Sequence, residues 1–486
     1  MSHSHRVLGS LFLGLLLHLA SGQKSPTPPD STWTLQECVT YAQEQNLNVK
    51  RTQLQARQRK NDLQSAQWNY APSISGGFNY GWNFGLNIDP VTNEISQANR
   101  QTANLQAQAS WNIYQGGRLY NTISRSQLDY RAALADYEQA QYDIGLNVAS
   151  AYLQILLNQE IADVAAQQVQ NSQAQVRRTR NLVEAGAAPQ GDLLQLEAQL
   201  ARDEQSLVEA RNQVRISELQ LANILQLEDP QDFAIADPDI PIPSKALVSR
   251  SPEGIFQTAL DNQPQVKAAR LRQLSREKSI KIAQAGYLPS LSLVAQVGTN
   301  YSDQIPDVVD TREELVPIGQ VQSTGQLVTT LQPQVFPVTD GTKPLNDQVS
   351  DNVNEFVGVN LNIPIFNRMT VRNQVQNAEI GKRIADLNYQ QTVNELRQTI
   401  YQAHADAKSA YQSLRAARKS ENASQKALEY ARERFEVGAL NQLDFETARN
   451  NYTQARSQLL QARYDFIFRM KVLEFYLTNQ VVLQDE

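Results

Sequence analysis

The chain is written twice, and that constrains it more than any other feature. AQWNYAPSIS (66–75) is answered by AQAGYLPSLS (283–292), and WNIYQGGRL (111–119) by LNIPIFNRM (361–369). VEAGAAPQGDLLQLEAQL (183–200) is answered by FEVGALNQLDFETARNNY (435–452), which sets Gly186 over Gly438, Gln190 over Gln442 and Asp192 over Asp444. Each half reads helix, strand, loop, strand, long helix, short turn, helix. Units this long exceed any solenoid repeat, so a whole folding unit has been duplicated. The expected halves are 33–228 and 251–478, joined by a Pro-rich linker at 229–250, with a tail at 479–486.

Four segments alternate with a period of two, the strand signature. They are expected at about 72–88, 103–115, 289–301 and 355–366. In the first, Ile74, Phe78, Tyr80, Trp82, Phe84, Leu86 and Ile88 share one face, against Asn79, Asn83, Asn87, serines and glycines. In the second, Leu105, Ala107, Ala109, Trp111 and Ile113 oppose Gln106, Gln108 and Asn112. The third sets Leu291, Leu293, Ala295, Val297 and Tyr301 together, with Val294 breaking the other face; the fourth sets Val357, Val359, Leu361, Ile363 and Ile365 against Gly358, Asn360 and Asn362. A sheet packed on a soluble core normally carries Lys and Glu on its wet face. Here that face holds Ser, Asn, Gln and Gly, which suits strands with lipid on one side and a wet lumen on the other. Phe78, Tyr80, Trp82, Phe84 and Trp111 are expected to face lipid as an aromatic belt. Asn79, Asn83, Asn87, Gln106, Gln108, Asn112, Asn360 and Asn362 are expected to line the lumen.

Between these strands lie two Pro-free stretches, 118–182 and 368–434, each long enough as a helix to reach about 95–100 Å. The helices after them, expected at 190–227 and 441–477, carry heptad columns: Leu193, Leu200, Leu207, Val214, Leu221 and Phe445, Tyr452, Leu459, Phe466, Leu473. Such columns imply coiled-coil packing. Four strands cannot close a barrel, and an open edge cannot sit in lipid. Two chains would give eight strands with a filled interior; three give twelve and room for a pore. The expected fold is therefore a mixed α/β membrane protein, each chain a four-stranded share of a trimeric twelve-stranded transmembrane β-barrel, with long α-helices in coiled-coil packing.

The ends and the composition agree. Arg6 precedes the apolar run VLGSLFLGLLLHLA and the small residues Ala20, Ser21 and Gly22, so residues 1–22 read as a signal peptide, followed by a Pro-rich tether at 23–32. No later run reaches the length of a membrane helix. The formal charge of −6, with no basic tract, argues against nucleic acid as a partner. Cys38 is the only cysteine and His404 the only histidine outside the signal, which excludes disulfides within the chain and leaves no His/Cys zinc site or Ser–His pair. Carboxylate pairs on the long helices read as a solvated face. No catalytic residue, metal site or cofactor is expected.

The motifs TLQECVTYAQEQN and IFQTALDNQPQVKAAR at the repeat starts, YLPSLSL, IYQGGR and IPIFNR, EAGAAPQGDLLQ and EVGALNQLDFET follow one another in a specific order. From about Trp33 to Leu477 the sequence resembles the TolC-like outer membrane efflux family. The resemblance implies a homotrimer in outer membrane lipid whose helical barrel crosses the periplasm. It implies a passive exit duct of a tripartite efflux pump or type I secretion system, docked by a periplasmic adaptor and served by an inner-membrane transporter of RND, ABC or MFS type. It also assigns roles at the helical turns. Gly186, Ala187, Gly438 and Ala439 become the tips where the adaptor packs, and Asp192 and Asp444 an acidic ring at the entrance. Where the family ties that entrance shut with a hydroxylated aromatic and an arginine, this chain has Phe435 and Leu440, and Thr447 replaces a second acid; closure by apolar packing of Phe435, Leu440 and Phe445 is expected. The loop at 302–352 is expected to form a surface cap. The competing reading is an exported structural or adhesive coiled-coil protein without a pore, which predicts water solubility and no detergent-stable trimer.

Overall fold

The computed structural model describes residues 32–88, 95–97, 99–231, 233–238, 240–330 and 332–478. The expected signal peptide, nearly all of the tether and the tail lie outside the described residues. So does the side chain of Asn87.

Two short helices open each half. Helices α1 (Leu35–Gln45) and α2 (Leu47–Trp68) lead into strand β1 (Ser73–Asn83), the short pair β2 (Leu86–Ile88) and β3 (Ile95–Gln97), and strand β4 (Arg100–Gln115). Then come α3 (Arg118–Glu184) and α4 (Gln190–Leu225). The second half repeats the order with α5 (Pro252–Asn262), α6 (Pro264–Gln284) and β5 (Ser290–Ser302). An arm follows, made of β6 (Pro306–Glu314), β7 (Pro317–Gln320), β8 (Leu327–Thr329), β9 (Gln334–Thr342) and helix α7 (Leu345–Asp351). Strand β10 (Asn354–Asn362) and helices α8 (Thr370–Glu436) and α9 (Gln442–Thr478) complete the chain. Both α3 and α8 have 67 residues, about 100 Å of helix.

β1, β4, β5 and β10 form one antiparallel sheet in that order. The central β4–β5 ladder joins the two halves, so the duplication is folded edge to edge. β1 and β10 are the open edges. β10 ends at Asn362, short of the expected strand, because Pro364 has no N–H for the ladder. Ile363 and Ile365 therefore lie beyond it.

Helix packing follows the same logic. Near the sheet the neighbours run α2, α3, α6, α8; farther away they run α4, α3, α9, α8. Thus α3 is flanked on both sides, while α2 and α4 mark one open edge and α8 the other. Near the middle of the helices, residues of α1, α3, α4, α9 and the linker share one apolar cluster, and α5, α8 and α9 share another. The linker is tied in by the Tyr152 hydroxyl, which donates to the Ala236 carbonyl at 2.6 Å. The heptad columns point inward: Leu193, Leu221, Phe445, Phe466 and Leu473 are buried and the other members half-buried.

Where strand becomes helix, Gly116 and Gly117 both adopt left-handed backbone, and a Cβ on Gly116 would stand 2.8 Å from the Ala285 carbonyl. In the second half the left-handed pair is Arg368 and Met369. The halves therefore register Gly116 on Arg368, two residues away from the match by letters. The shift is even, so no strand face changes.

The 302–352 segment is built rather than irregular. β6 pairs β9, β7 pairs β8, and α7 seals the base. Beyond Gly298, β5 has outrun its partner β10; there Gln348, fully buried, accepts from the Ser302 N–H at 3.0 Å and donates to its carbonyl at 2.9 Å. One side-chain amide replaces a missing strand.

Candidate functional site: a two-faced sheet and two helical tips

Residues opposite one another in an antiparallel ladder share a face. One face carries the rows Ile74–Ala109–Ala295–Val357, Phe78–Leu105–Thr299 and Trp111–Leu293–Val359. Nothing in the described residues covers it: Ile74 is 78% exposed, Phe78 66%, Val357 74% and Val359 67%. Glu355 is the acidic exception, one residue from the end of β10 away from the helices. The other face carries Asn79–Asn104–Asn300, Ser75–Gln108–Gln296–Phe356 and Asn112–Ser292–Asn360. An uncovered apolar face this large marks an interaction surface.

Each expected belt or lumen residue except Asn87 can now be placed. Phe78, Tyr80, Trp82 and Trp111 lie on the apolar face, and the Tyr80 and Trp82 rings meet edge to face at 5.0 Å. Phe84 lies just past β1 and is exposed. Asn79, Asn83, Gln106, Gln108, Asn112, Asn360 and Asn362 share the polar face. Ile113 is the extra residue of a bulge, so Tyr114, opposite Leu291, continues the apolar face in its place. Phe356 was missed. It stands on the polar face, its ring so close over Gly358 that a Cβ there would lie 2.6 Å from Cζ. Its parity with Asn360 was the available signal.

At the far end the two helical hairpins turn identically. Gly186 and Gly438 have φ of +72° and +75°. Ala187 N–H reaches the Leu182 carbonyl and Ala439 N–H that of Arg434, while each glycine N–H bonds three residues back. This is the Schellman closure, which needs a left-handed residue that glycine adopts without strain. All four tip residues are exposed. Asp192 and Asp444 sit in the first turns of α4 and α9, where a carboxylate complements the helix dipole. Half-buried Phe435 stacks on buried Phe445 at 4.9 Å, and Leu440 beside them is half-buried. Val437 and Leu443, 79% and 72% exposed, add an apolar tip surface that the sequence reading missed.

About two turns in from that tip, α9 meets the other hairpin through charge. Arg449, 4% exposed, lies 2.5 Å from Glu446 and 3.5 Å from the buried Asp203 of α4. Its guanidinium also donates to Gln175 at 3.0 Å. With the Gln168 amide oxygen turned toward it, Nε finds a further acceptor at 2.9 Å. Asp203 accepts from Ser172 at 2.5 Å and Gln199 at 2.9 Å. Burial pushes the Glu446 carboxyl above its usual range; Arg449 opposes that and Asp203 adds to it. These carboxylates are a buried exception to the solvated helix face.

The family model described as outer membrane efflux protein matches residues 39–226 and 255–469. This chain belongs to the outer membrane efflux protein family. Its place is the outer membrane, with the helices extending into the periplasm. "Outer membrane efflux protein BepC" of Brucella suis is 20% identical over 434 residues, covering 89% of this chain and 83% of that one. "Outer membrane protein TolC" of Vibrio cholerae is 22% identical over 385 residues, 77% of each. Among solved structures, the Campylobacter jejuni CmeC outer membrane channel superposes with a TM-score of 0.69 at 19% identity, covering 93% of this chain and 87% of that one. CusC gives 0.70 at 16% identity, covering 91% of each. The efflux family is one of channel proteins rather than enzymes. Among the described residues no group of His, Cys, Asp and Glu is arranged to hold a metal. Nor, among the described residues, is any helix long and apolar enough to cross a membrane.

Proposed function

We propose that three copies of this chain form a passive exit duct, a twelve-stranded barrel in the outer membrane continued by a helical barrel in the periplasm. The observation that carries this is a sheet with an uncovered, nearly uncharged apolar face and two unpaired edges. Unpaired backbone cannot sit in lipid. The two edges differ, so one chain's β10 meets another's β1, a heterologous contact that closes into rings. Pairing β1 with a second β1 antiparallel would send the helices to opposite sides of the membrane.

The apolar face has the dimensions for this task. Tyr80, Trp82 and Phe84 gather at its outer end and Trp111 at its inner end. Trp111 and Gln101, the partner of Trp82, stand ten residues apart on β4. At about 3.3 Å per residue and a tilt near 40°, that spans about 25 Å, the height of an outer-membrane apolar band. The two aromatic groups then serve as its girdles, and the asparagines and glutamines line the bore.

At the periplasmic end the exposed turns at Gly186, Ala187, Gly438 and Ala439, with Val437 and Leu443, offer six apolar tips per trimer for a periplasmic adaptor. Phe435, Leu440 and Phe445 narrow the entrance by packing, and Asp192 and Asp444 form acidic rings that favour cations. The duct performs no chemistry; an inner-membrane transporter supplies the energy. The test is fractionation followed by mass measurement: the chain should sediment with outer membranes and leave detergent extraction as a trimer that conducts ions in planar bilayers. A water-soluble monomer would favour the adhesive coiled-coil reading.

A further inference from the structure

The internal β4–β5 seam already shows how two halves of this fold join. It pairs the second strand of one repeat with the first strand of the next. The open edges, β10 and β1, are again a second strand and a first strand. The duplication supplies a residue-level correspondence between the two situations. Ser73 and Ser290 are equivalent, and they pair with Ser110 and Asn362, so β4 maps onto β10 as surely as β1 maps onto β5.

We propose that β10 of one copy pairs with β1 of the next in the transposed register of the internal seam, and that α8 packs against the next copy's α2. The pairing Gln108↔Gln296 becomes Asn360 opposite Asn79 of the next copy, and Gln106↔Gly298 becomes Gly358 opposite Gly81. On the other face Ala109↔Ala295 becomes Leu361 opposite Phe78, Ala107↔Val297 becomes Val359 opposite Tyr80, and Leu105↔Thr299 becomes Val357 opposite Trp82. The proposal rests on the barrel reading and adds its register.

Three observations support it. First, the transposed pairs keep aromatic against aliphatic on one face and amide against amide on the other, with no like charges opposed. Second, the helices show a matching vacancy. In the internal seam Ala132 and Ala135 of α3 are 2% and 1% exposed. Their equivalents on α8, Ile384 and Leu387, are 54% and 63% exposed and with Ile380 make a stripe at helical spacing. The exposed Leu54 of α2, equivalent to Leu271 of α6, supplies an apolar side chain opposite it in the same transposition. Third, sizes are exchanged across the seam. Ser275 donates to Asp129 at 2.5 Å inside the chain. The equivalent positions are Gln58 on α2 and Gly381 on α8, a long amide facing a residue with open space above its Cα.

A one-residue slip would turn Phe78 and Trp82 toward the polar side, so only even slips compete. Disulfide trapping in isolated outer membranes separates them. The double variant Asn79→Cys/Asn360→Cys should oxidise to covalently linked trimers. Gly77→Cys/Asn360→Cys and Gly81→Cys/Asn360→Cys should link about tenfold more slowly, because diagonal neighbours stand ~7–8 Å apart rather than ~5 Å. Within one chain Asn79 and Asn360 lie on opposite sheet edges and in rows that cross β4 at Asn104 and Asn112, so they stand roughly 30 Å apart, beyond disulfide reach. Cys38 stays silent, being fully buried with its thiol pushed up to about 12 chiefly by that burial. Gln58→Cys/Gly381→Cys is the independent helical pair and should also link. Faster trapping by a control pair, or a native trimer that no pair traps, overturns the register and leaves the barrel reading standing. A monomer in detergent with no cross-link overturns both.

Discussion

Phe435 and Phe445 stack nearly parallel, 14° apart, across the turn of the second helical hairpin. The equivalent residues of the first hairpin, Val183 and Leu193, pack as aliphatics in the same place. The periplasmic end is thus held by apolar contacts in both halves. Phe435→Ala should loosen the second tip without unfolding the barrel, raising single-channel conductance in planar bilayers. Unchanged conductance would remove this pair from the entrance.

The Asp203–Arg449–Glu446 cluster gives a paired prediction. Removing the arginine strands two buried carboxylates, so Arg449→Ala should destabilise the helical part by about 3–5 kcal/mol. Glu446→Gln keeps the shape and leaves a neutral Asp203–Arg449 pair, so it should be neutral or stabilising at pH 7. The sign with pH follows from the raised Glu446 pKa. The folded state holds this proton more tightly than the unfolded chain, so the cluster gains stability as pH falls from neutral through the folded pKa, and loses it as pH rises. Thermal unfolding followed by circular dichroism as the pH is lowered from neutral into the acid range should show that gain in the parent and not in Glu446→Gln.

Phe356 is the one large aromatic that the register sets on the polar face among Asn and Gln. Three copies would project three rings into the bore. Phe356→Ala should widen it and raise conductance. Phe356→Leu should give a smaller rise.

Equivalent turn positions should respond with opposite signs. Gly116→Ala adds a Cβ 2.8 Å from the Ala285 carbonyl and from the Leu288 side chain at positive φ, and should cost about 2 kcal/mol or more. Arg368→Gly, at the equivalent place, relieves a non-glycine residue of a left-handed conformation and should be neutral or slightly stabilising. Denaturation midpoints of the two variants test this.

Periodicity carries most of what the sequence reveals. Strand faces follow a period of two, so alternation alone assigns Phe78 and Asn79 to opposite sides, and the heptad column from Leu193 to Leu221 announces its own burial. Gly186 and Gly438 stand out because a tight helical turn demands one residue type. What stays hidden depends on contacts between distant segments. Asp203 and Arg449 belong to different repeats and look like ordinary surface charges until α4, α3 and α9 come together. The arm around Gln348 has no alternation to read, since its strands are exposed on both faces. The limit of β10 is visible in Pro364, but the apolar run through Ile365 outweighs it.

The central claim is that the sheet separates lipid from a water-filled bore, and Asn79 and its neighbour Phe78, on the row of Asn104 and Leu105 between the Trp82 and Trp111 levels, test it most directly. Asn79→Cys and Phe78→Cys trimers would be inserted in planar bilayers and treated with a charged, water-soluble thiol reagent. The account predicts a stepwise fall in conductance for Asn79→Cys and none for Phe78→Cys. Equal modification of both, or block at Phe78→Cys alone, would contradict it.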